Sequence, residues 1–172
     1  MGVEIDPFHA ISISRLAHEL KDQGRSIIHM EFGQPSTGAP ARALEKAKNV
    51  LASNALGYWE SLPLKKRLCQ HYDETYGVTV RPGRIAITAG ASAALVSALT
   101  CRFSAGDTIA MARPGYVSYR NTVKALGMTA LELDCGADTR FSLTADRIAA
   151  LAPAPQGLIL ASPANPTGTI MS

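Results

Sequence analysis

Several kinds of signal are missing from this chain, and each absence removes a class of function. There is no Cys-x-x-Cys pair and no Cys/His cluster; the three cysteines, Cys69, Cys101 and Cys135, stand far apart. An odd, scattered set favours neither a disulfide framework nor a zinc site, and free thiols in the cytoplasm are the expectation. No apolar run is long enough to cross a bilayer, and the N-terminus carries no basic segment followed by an apolar one. Neither a membrane span nor a secretory leader is therefore predicted. Basic residues are dispersed over a net charge of +3. Their densest group, Lys65-Lys66-Arg67, has no aromatic residues interleaved with it and reads as a solvated helix face, not a nucleic-acid surface. The Gly-x-Gly-x-x-Gly fingerprint and the Gly-Lys-Ser/Thr of phosphate loops are absent as well. No internal repeat or low-complexity stretch occurs.

What is present is a globular chain. Its 172 residues are 47% hydrophobic, enough for one domain to one and a half with a real core. In the N-terminal part, helical spacing of Ile11, Ile13, Leu16, Ala17 and Leu20 predicts a helix over 7–22, capped by Ser12 or Ser14 and ended by Gly24. A short extended segment follows over 27–32, leading into Gly33-Gln34-Pro35. Helices are predicted over 41–51, with Pro40 at the start, and over 64–76, with Leu68, Cys69 and Tyr72 as the apolar side. His9, His18 and His71 are expected on solvated or half-buried faces.

After Pro82-Gly83 the pattern becomes regular. Strands are predicted over 85–88, 108–112, 129–133 and 157–161, and helices over 93–103, 116–126 and 143–151. Gly90, Gly106 and Gly127 supply turns, and Thr144 is a candidate cap. Strand–helix alternation with short connections predicts an α/β fold with a mostly parallel sheet flanked by helices. The strands are apolar runs, as befits strands buried on both faces.

Three strand ends carry groups suited to a ligand. At Thr88-Ala89-Gly90-Ala91-Ser92, a strand gives way to a helix whose first amides lack intrahelical acceptors and whose dipole favours an anion. A plain N-cap role for Ser92 is the competing reading. At Arg113-Pro114-Gly115-Tyr116, the Tyr116 ring could stack on an aromatic cofactor or simply fill the core. At Asn165-Pro166-Thr167-Gly168, proline and glycine make a turn. Its Asn165 amide could either serve a ligand or bond its own backbone. Together, an anion cradle, a flat ring and an amide suggest a phosphorylated aromatic cofactor.

With these motifs in this order, the chain resembles the class I/II aminotransferases, pyridoxal-phosphate enzymes of fold type I. The resemblance rests on Phe32-Gly33-Gln34-Pro35, Tyr58-Trp59-Glu60-Ser61, Ile87 to Ser92, Gly106-Asp107, Pro114-Gly115-Tyr116 and Ser162 to Gly168. It implies that Gly90, Ala91 and Ser92 hold the phosphate of pyridoxal 5'-phosphate, that Tyr116 stacks on its ring and that Asn165 bonds the ring hydroxyl. Gly33 would lie against the substrate carboxylate. Tyr58 would reach the phosphate in a neighbouring subunit, implying a homodimer with shared sites. The Asn165–Pro166 bond is a candidate cis peptide.

By the same resemblance, residues 1–40 are an N-terminal arm and small-domain segment, and 41–172 an incomplete cofactor-binding large domain. The substrates would be an amino acid and a 2-oxo acid, with no metal, nucleic acid or membrane partner. The chain departs from the family after Tyr58, where Leu62-Pro63-Leu64-Lys65 is shorter and lacks a glycine. His29 and Glu31 match no family role.

The family's Schiff-base lysine, the aspartate beside the pyridine nitrogen and the carboxylate-clamping arginine all lie beyond the Asn-Pro-Thr-Gly motif. Only Thr169-Ile170-Met171-Ser172 follows it here, so the expectation is a part of a larger polypeptide, inactive alone, with no catalytic residue of its own. Lys124, Asp134 and Arg113 are not assigned to the missing roles. Alternatives are a non-catalytic binding or regulatory module of the same fold, or a lyase or decarboxylase of fold type I. A nucleotide-binding α/β domain is disfavoured by the missing glycine fingerprint and by Ala112-Arg113 where an acidic residue would stand.

Overall fold

The computed structural model describes residues 4–171. Contacts divide the chain into two compact units, one comprising Met1–Ile27 and Leu95–Ser172, the other Ile28–Ala94.

The first unit is built on a three-stranded parallel sheet of order β2-β1-β3, from β1 (Thr108–Arg113), β2 (Thr129–Asp134) and β3 (Gly157–Ile159). Ile109 of β1 pairs with Ala130 on one side and with Gly157 on the other. The central strand is the most enclosed, with Ile109 and Ala110 both 0% exposed. Ile109 and Met111 share one face. They form the core cluster with Leu99, Val123 and Met128, and Leu95, Phe103 and Tyr119 pack against it. Leu95 and Leu99 come from α4 (Ala91–Arg102), and Val123 comes from α5 (Val117–Ala125), the crossover between β1 and β2. A short α6 (Ala145–Ala149) lies between β2 and β3, and Thr144 caps it by accepting from the Arg147 amide at 3.4 Å.

Glycines end the elements where left-handed backbone is needed. Gly127 (φ 74°) closes α5. Beside it, the Gly106 amide donates to Gly127 O at 2.8 Å and the Thr129 amide to Asp107 O at 2.8 Å. Asp107 also accepts from the Ser104 amide. These bonds tie the entrances of β1 and β2 together.

The unit begins with α1 (His9–Asp22). Here the structure corrects the predicted cap. Ser12 and Ser14 lie inside the helix, whose N-cap is Phe8 with no side-chain bond. The Ile11 amide already bonds Phe8 O at 3.0 Å, so the first turn closes before either serine.

The second unit is helical. It contains α2 (Ala41–Ser53), with Pro40 at the N-cap, and α3 (Leu62–Tyr76), capped by Ser61 and ended by left-handed Gly77. Leu68 and Cys69 are half-buried as predicted, whereas Tyr72 is exposed. The predicted solvated face is corrected at Lys65, which is only 7% exposed and paired with Glu60. The Glu60 carboxylate answers the charge of the enclosed ammonium. Lys66 and Arg67 are exposed as predicted. His29 and Glu31 bond each other at 2.8 Å. His9, His18 and His71 are exposed.

The predicted strand over 85–88 is not one. A 3-10 turn, Pro82–Arg84, leads into extended residues (Ile85 φ −113°, ψ 122°) that join no ladder. An apolar, extended segment becomes a strand only when a neighbour supplies its hydrogen-bond partners. Likewise β3 is shorter than the predicted 157–161, because β1 pairs with it only as far as Ile159.

Candidate functional site

A sheet in which consecutive strands lie on opposite sides of β1 has a switch point at its carboxyl ends, where α/β proteins place ligands. In this chain β2 and β3 flank β1, and a pocket opens beyond the ends of β1 and β3. Met111 and Ile159 form part of its apolar lining, and Tyr116 and Asn165 bring polar groups to it. Every lining residue belongs to the first unit.

Tyr116 is placed by the strand-to-helix turn. β1 ends at Arg113, the Arg113–Pro114 bond is cis, and Tyr116 is the N-cap residue of α5. The ring is half-buried and stands nearly perpendicular to two others: Tyr119 at 5.4 Å and 89°, and Phe8 at 6.3 Å and 85°. Gly115 is required here, since a Cβ would lie 2.5 Å from Ala112 O.

Asn165 sits on a turn closed by other groups. The Ala164 amide donates to Thr169 O at 2.8 Å, and the Gly168 amide to Ala164 O at 2.7 Å. The Thr167 and Thr169 hydroxyls bond each other at 2.8 Å, and Ser162 Oγ accepts from the Met171 amide. Both the Ser162–Pro163 and the Asn165–Pro166 bonds are cis, the second as the sequence suggested. Among the described residues, no hydrogen bond involves the Asn165 side-chain amide. The turn therefore does not consume it, and the amide is available at the pocket.

The second unit carries the other predicted groups. α4 begins at Ala91, so Ser92 lies within the first turn and is not the N-cap residue. Gly90 adopts φ 87°, and nothing lies within 4 Å of where its Cβ would be. Its own amide is occupied, donating to Thr88 O at 2.8 Å, while Thr88 Oγ1 bonds Gly90 O. That leaves the amides of Ala91 and Ser92 and the exposed Ser92 hydroxyl as donors at a helix N-terminus. Gly33 is exposed with open space around it. Tyr58 is fully exposed.

The cationic and acidic residues near the strand ends are committed to one another. Arg113 donates twice to Asp134, its register partner on β2, with the Nη2–Oδ2 bond at 2.6 Å. Arg147 bonds Asp134 O and the Asp138 carboxylate. The hydrogen bonds from Arg113 hold the Asp134 carboxyl below its ordinary pKa, and Asp134 in turn raises that of Arg113. Lys124 bonds Asp6 at 3.1 Å and Lys65 bonds Glu60. The pocket lining contains no lysine.

The sequence reading missed three contributors. Tyr119 follows Tyr116 by three positions on one helix, a spacing that brings side chains together. Phe141 also lines the pocket, from a turn in which Arg140 and Phe141 both take positive φ. No local pattern signals that conformation for such residues. Phe8 reaches Tyr116 from the far end of the chain, beyond any local signal.

Comparison with known proteins agrees with this geometry. The family described as Aminotransferase class I and II matches residues 25–172. The chain is 38% identical over 170 residues to the valine–pyruvate aminotransferase of Mycobacterium tuberculosis, covering 97% of this chain and 44% of that protein. It is 29% identical to the aspartate/prephenate aminotransferase of Cereibacter sphaeroides, covering 95% of this chain and 42% of the relative. A crystal structure of an aminotransferase from M. tuberculosis superposes with a TM-score of 0.93 at 38% identity, over 97% of this chain and 44% of the other. Aspartate aminotransferase from Thermus thermophilus, solved with maleate, gives 0.87 at 25% identity, over 96% and 44%. The chain thus spans less than half the length of these relatives. Over the part it does span, fold and sequence agree, and the chain belongs to the class I and II aminotransferases.

Proposed function

We propose that this chain is the cofactor-holding part of a pyridoxal-phosphate-dependent aminotransferase, which transfers an amino group from an amino acid to a 2-oxo acid. The observation that carries the proposal is the Asn165 amide, left without an intramolecular bond in a pocket that also presents the Tyr116 ring. The residues present fit the cofactor. An apolar pocket with one flat ring and one amide suits a pyridine ring, and a helix start with free donors suits a phosphate. When bound, pyridoxal phosphate supplies the electron sink for the chemistry.

The chain's own residues bind and orient. By the resemblance, the Asn165 amide would donate to the ring oxygen and Tyr116 would cover a ring face, and the Ala91 and Ser92 groups would serve as phosphate donors. Gly90 leaves room for that approach. Gly33 lies beside the substrate carboxylate, and exposed Tyr58 reaches the phosphate in the partner's site of a homodimer. Residues 1–40 form an arm and small-domain segment, and 41–172 belong to the large domain. Lys124 and Lys65 are held by carboxylates, so we assign neither the covalent link to the cofactor. The scattered free thiols suit the cytoplasm.

The test is titration of the protein that carries this chain with pyridoxal phosphate, followed by visible absorbance before and after borohydride. Asn165→Ala is expected to weaken binding by about tenfold, the upper end for one hydrogen bond. Unchanged binding in both Asn165→Ala and Tyr116→Ala refutes the assignment. The name of the 38% identical relative makes valine and pyruvate the first pair to assay.

A further inference from the structure

The pocket ring is reached from the opposite end of the chain. Asp6 is anchored on α5 by three residues of one helix face. Its Oδ2 lies 3.1 Å from Lys124 Nζ and 3.6 Å from Arg120 Nε, and its backbone oxygen accepts from Asn121 Nδ2 at 3.0 Å. Arg120 is itself tied to β2, through Glu132 at 3.5 Å. The anchor thus joins the N-terminal segment to both the helix and the sheet of the first unit. Two residues beyond Asp6 stands Phe8, half-buried, with its ring centroid 6.3 Å from that of Tyr116. Tyr119 makes the other perpendicular contact.

A tyrosine at a helix N-cap, half-exposed at a pocket, has rotamers open to it unless neighbours exclude them. Tyr119 belongs to the same helix and moves with Tyr116. Phe8 comes from outside α5, on a segment that the Asp6 anchor holds against that helix. We propose that Asp6 and Phe8 are positioning residues, which brace the Tyr116 ring in the orientation it presents to the pocket. This rests on the reading of Tyr116 as the ring that covers the cofactor. Its physical content is preorganisation, since a ring already fixed loses no rotamer freedom when the ligand arrives.

The experiment uses ring-labelled tyrosine in the protein that carries this chain, with the Tyr116 signal assigned by its loss in Tyr116→Phe. In Phe8→Leu the Tyr116 ring resonance is expected to shift and its ring flips to quicken without ligand. Pyridoxal phosphate binding should weaken by roughly three- to tenfold, the span of one aromatic pair. Phe8→Tyr keeps an aromatic ring at that place and is expected to restore both. Asp6→Asn, a surface change, gives the same readouts in milder form, and decides the matter if Phe8→Leu fails to fold. An unshifted Tyr116 signal in these variants overturns the brace. If the signal is unshifted while Tyr116→Ala weakens cofactor binding, the brace falls and the cofactor assignment stands. If Tyr116→Ala leaves binding unchanged, the cofactor role of the ring falls. The Tyr116 signal in Phe8→Leu then decides the brace alone.

Discussion

Asp6 and Asp134 each sit beside cations that favour their ionised form. The hydrogen bond from Lys124 leads for Asp6, and that from Arg113 leads for Asp134, so both carboxyls titrate below their ordinary value. A carboxyl whose folded pKa is depressed adds stability above its unfolded pKa, about 3.9 for aspartate. That contribution is lost as pH falls through the lower folded value. Both groups face solvent, so the effect is small and screened by salt. Thermal unfolding followed from pH 5 downward, at low and high salt, is expected to show a shallower acid loss in Asp6→Asn and Asp134→Asn than in the parent. Parallel acid profiles for parent and variants would show that these pairs add nothing. Lys65 poses a different problem. Its ammonium is enclosed and answered by one carboxylate, that of Glu60 five residues earlier, a pairing that the basic run Lys65-Lys66-Arg67 does not signal.

At the scale of elements, the central strand carries the first unit. Ile109 is fully buried between β2 and β3, and its pairing partner Gly157 stands where a side chain does not fit. A Cβ there would lie 2.5 Å from Phe103 Cζ and 2.8 Å from Ile109 Cδ1. Gly157→Ala is therefore expected to destabilise by about 1–3 kcal/mol through overpacking. Ile109→Val should cost about 0.5–1.5 kcal/mol through the lost methyl group. Denaturant midpoints measure both, and a neutral Gly157→Ala would mean that β3 can shift away from α4. The same contact explains why β3 begins with a residue that has no side chain. Phe103, at the exit of α4, occupies the space above it.

At the scale of the whole molecule, much apolar surface remains open. Ile28 is 85% exposed and Trp59 73% exposed. Tyr58, Met30 and Leu51 are also exposed. Such surface marks interaction sites or aggregation liability, and the extended residues 85–88, which join no ladder among the described residues, offer an edge to another strand. The single tryptophan reports on this directly. Emission from Trp59 is expected at the long wavelengths of a hydrated indole, open to acrylamide quenching, in the 172-residue chain at low concentration. It should move to shorter wavelength, with protection, as concentration rises and chains associate. Blue, quencher-protected emission at high dilution would contradict the exposed position.

The sequence by itself determined the local events. The helix start at Thr144 and the turn at Gly127 were legible because capping oxygens and left-handed glycines act within a few residues, whereas the start of α3 at Ser61 was missed. The strands around Ile109, Ala130 and Leu158 were legible because short apolar runs between turn residues mark strands, although only β1 is enclosed as expected, β2 being half-buried and Leu158 exposed. The motif order, carried by the residues around Gly90, Tyr116 and Asn165, was enough to recognise the family. Tertiary structure decided the rest, because each case depends on which groups the folded chain brings together. Residues 85–88 have strand character but no neighbour to complete the ladder. Lys65 is enclosed by packing. The Asn165 amide is free because Thr169 and Ala164 close its turn instead. Phe8 meets Tyr116 because Asp6 is anchored more than a hundred residues away, at Lys124. Local preferences act along the chain, whereas ladders, ion pairs and ring contacts arise only once the fold brings their two halves together.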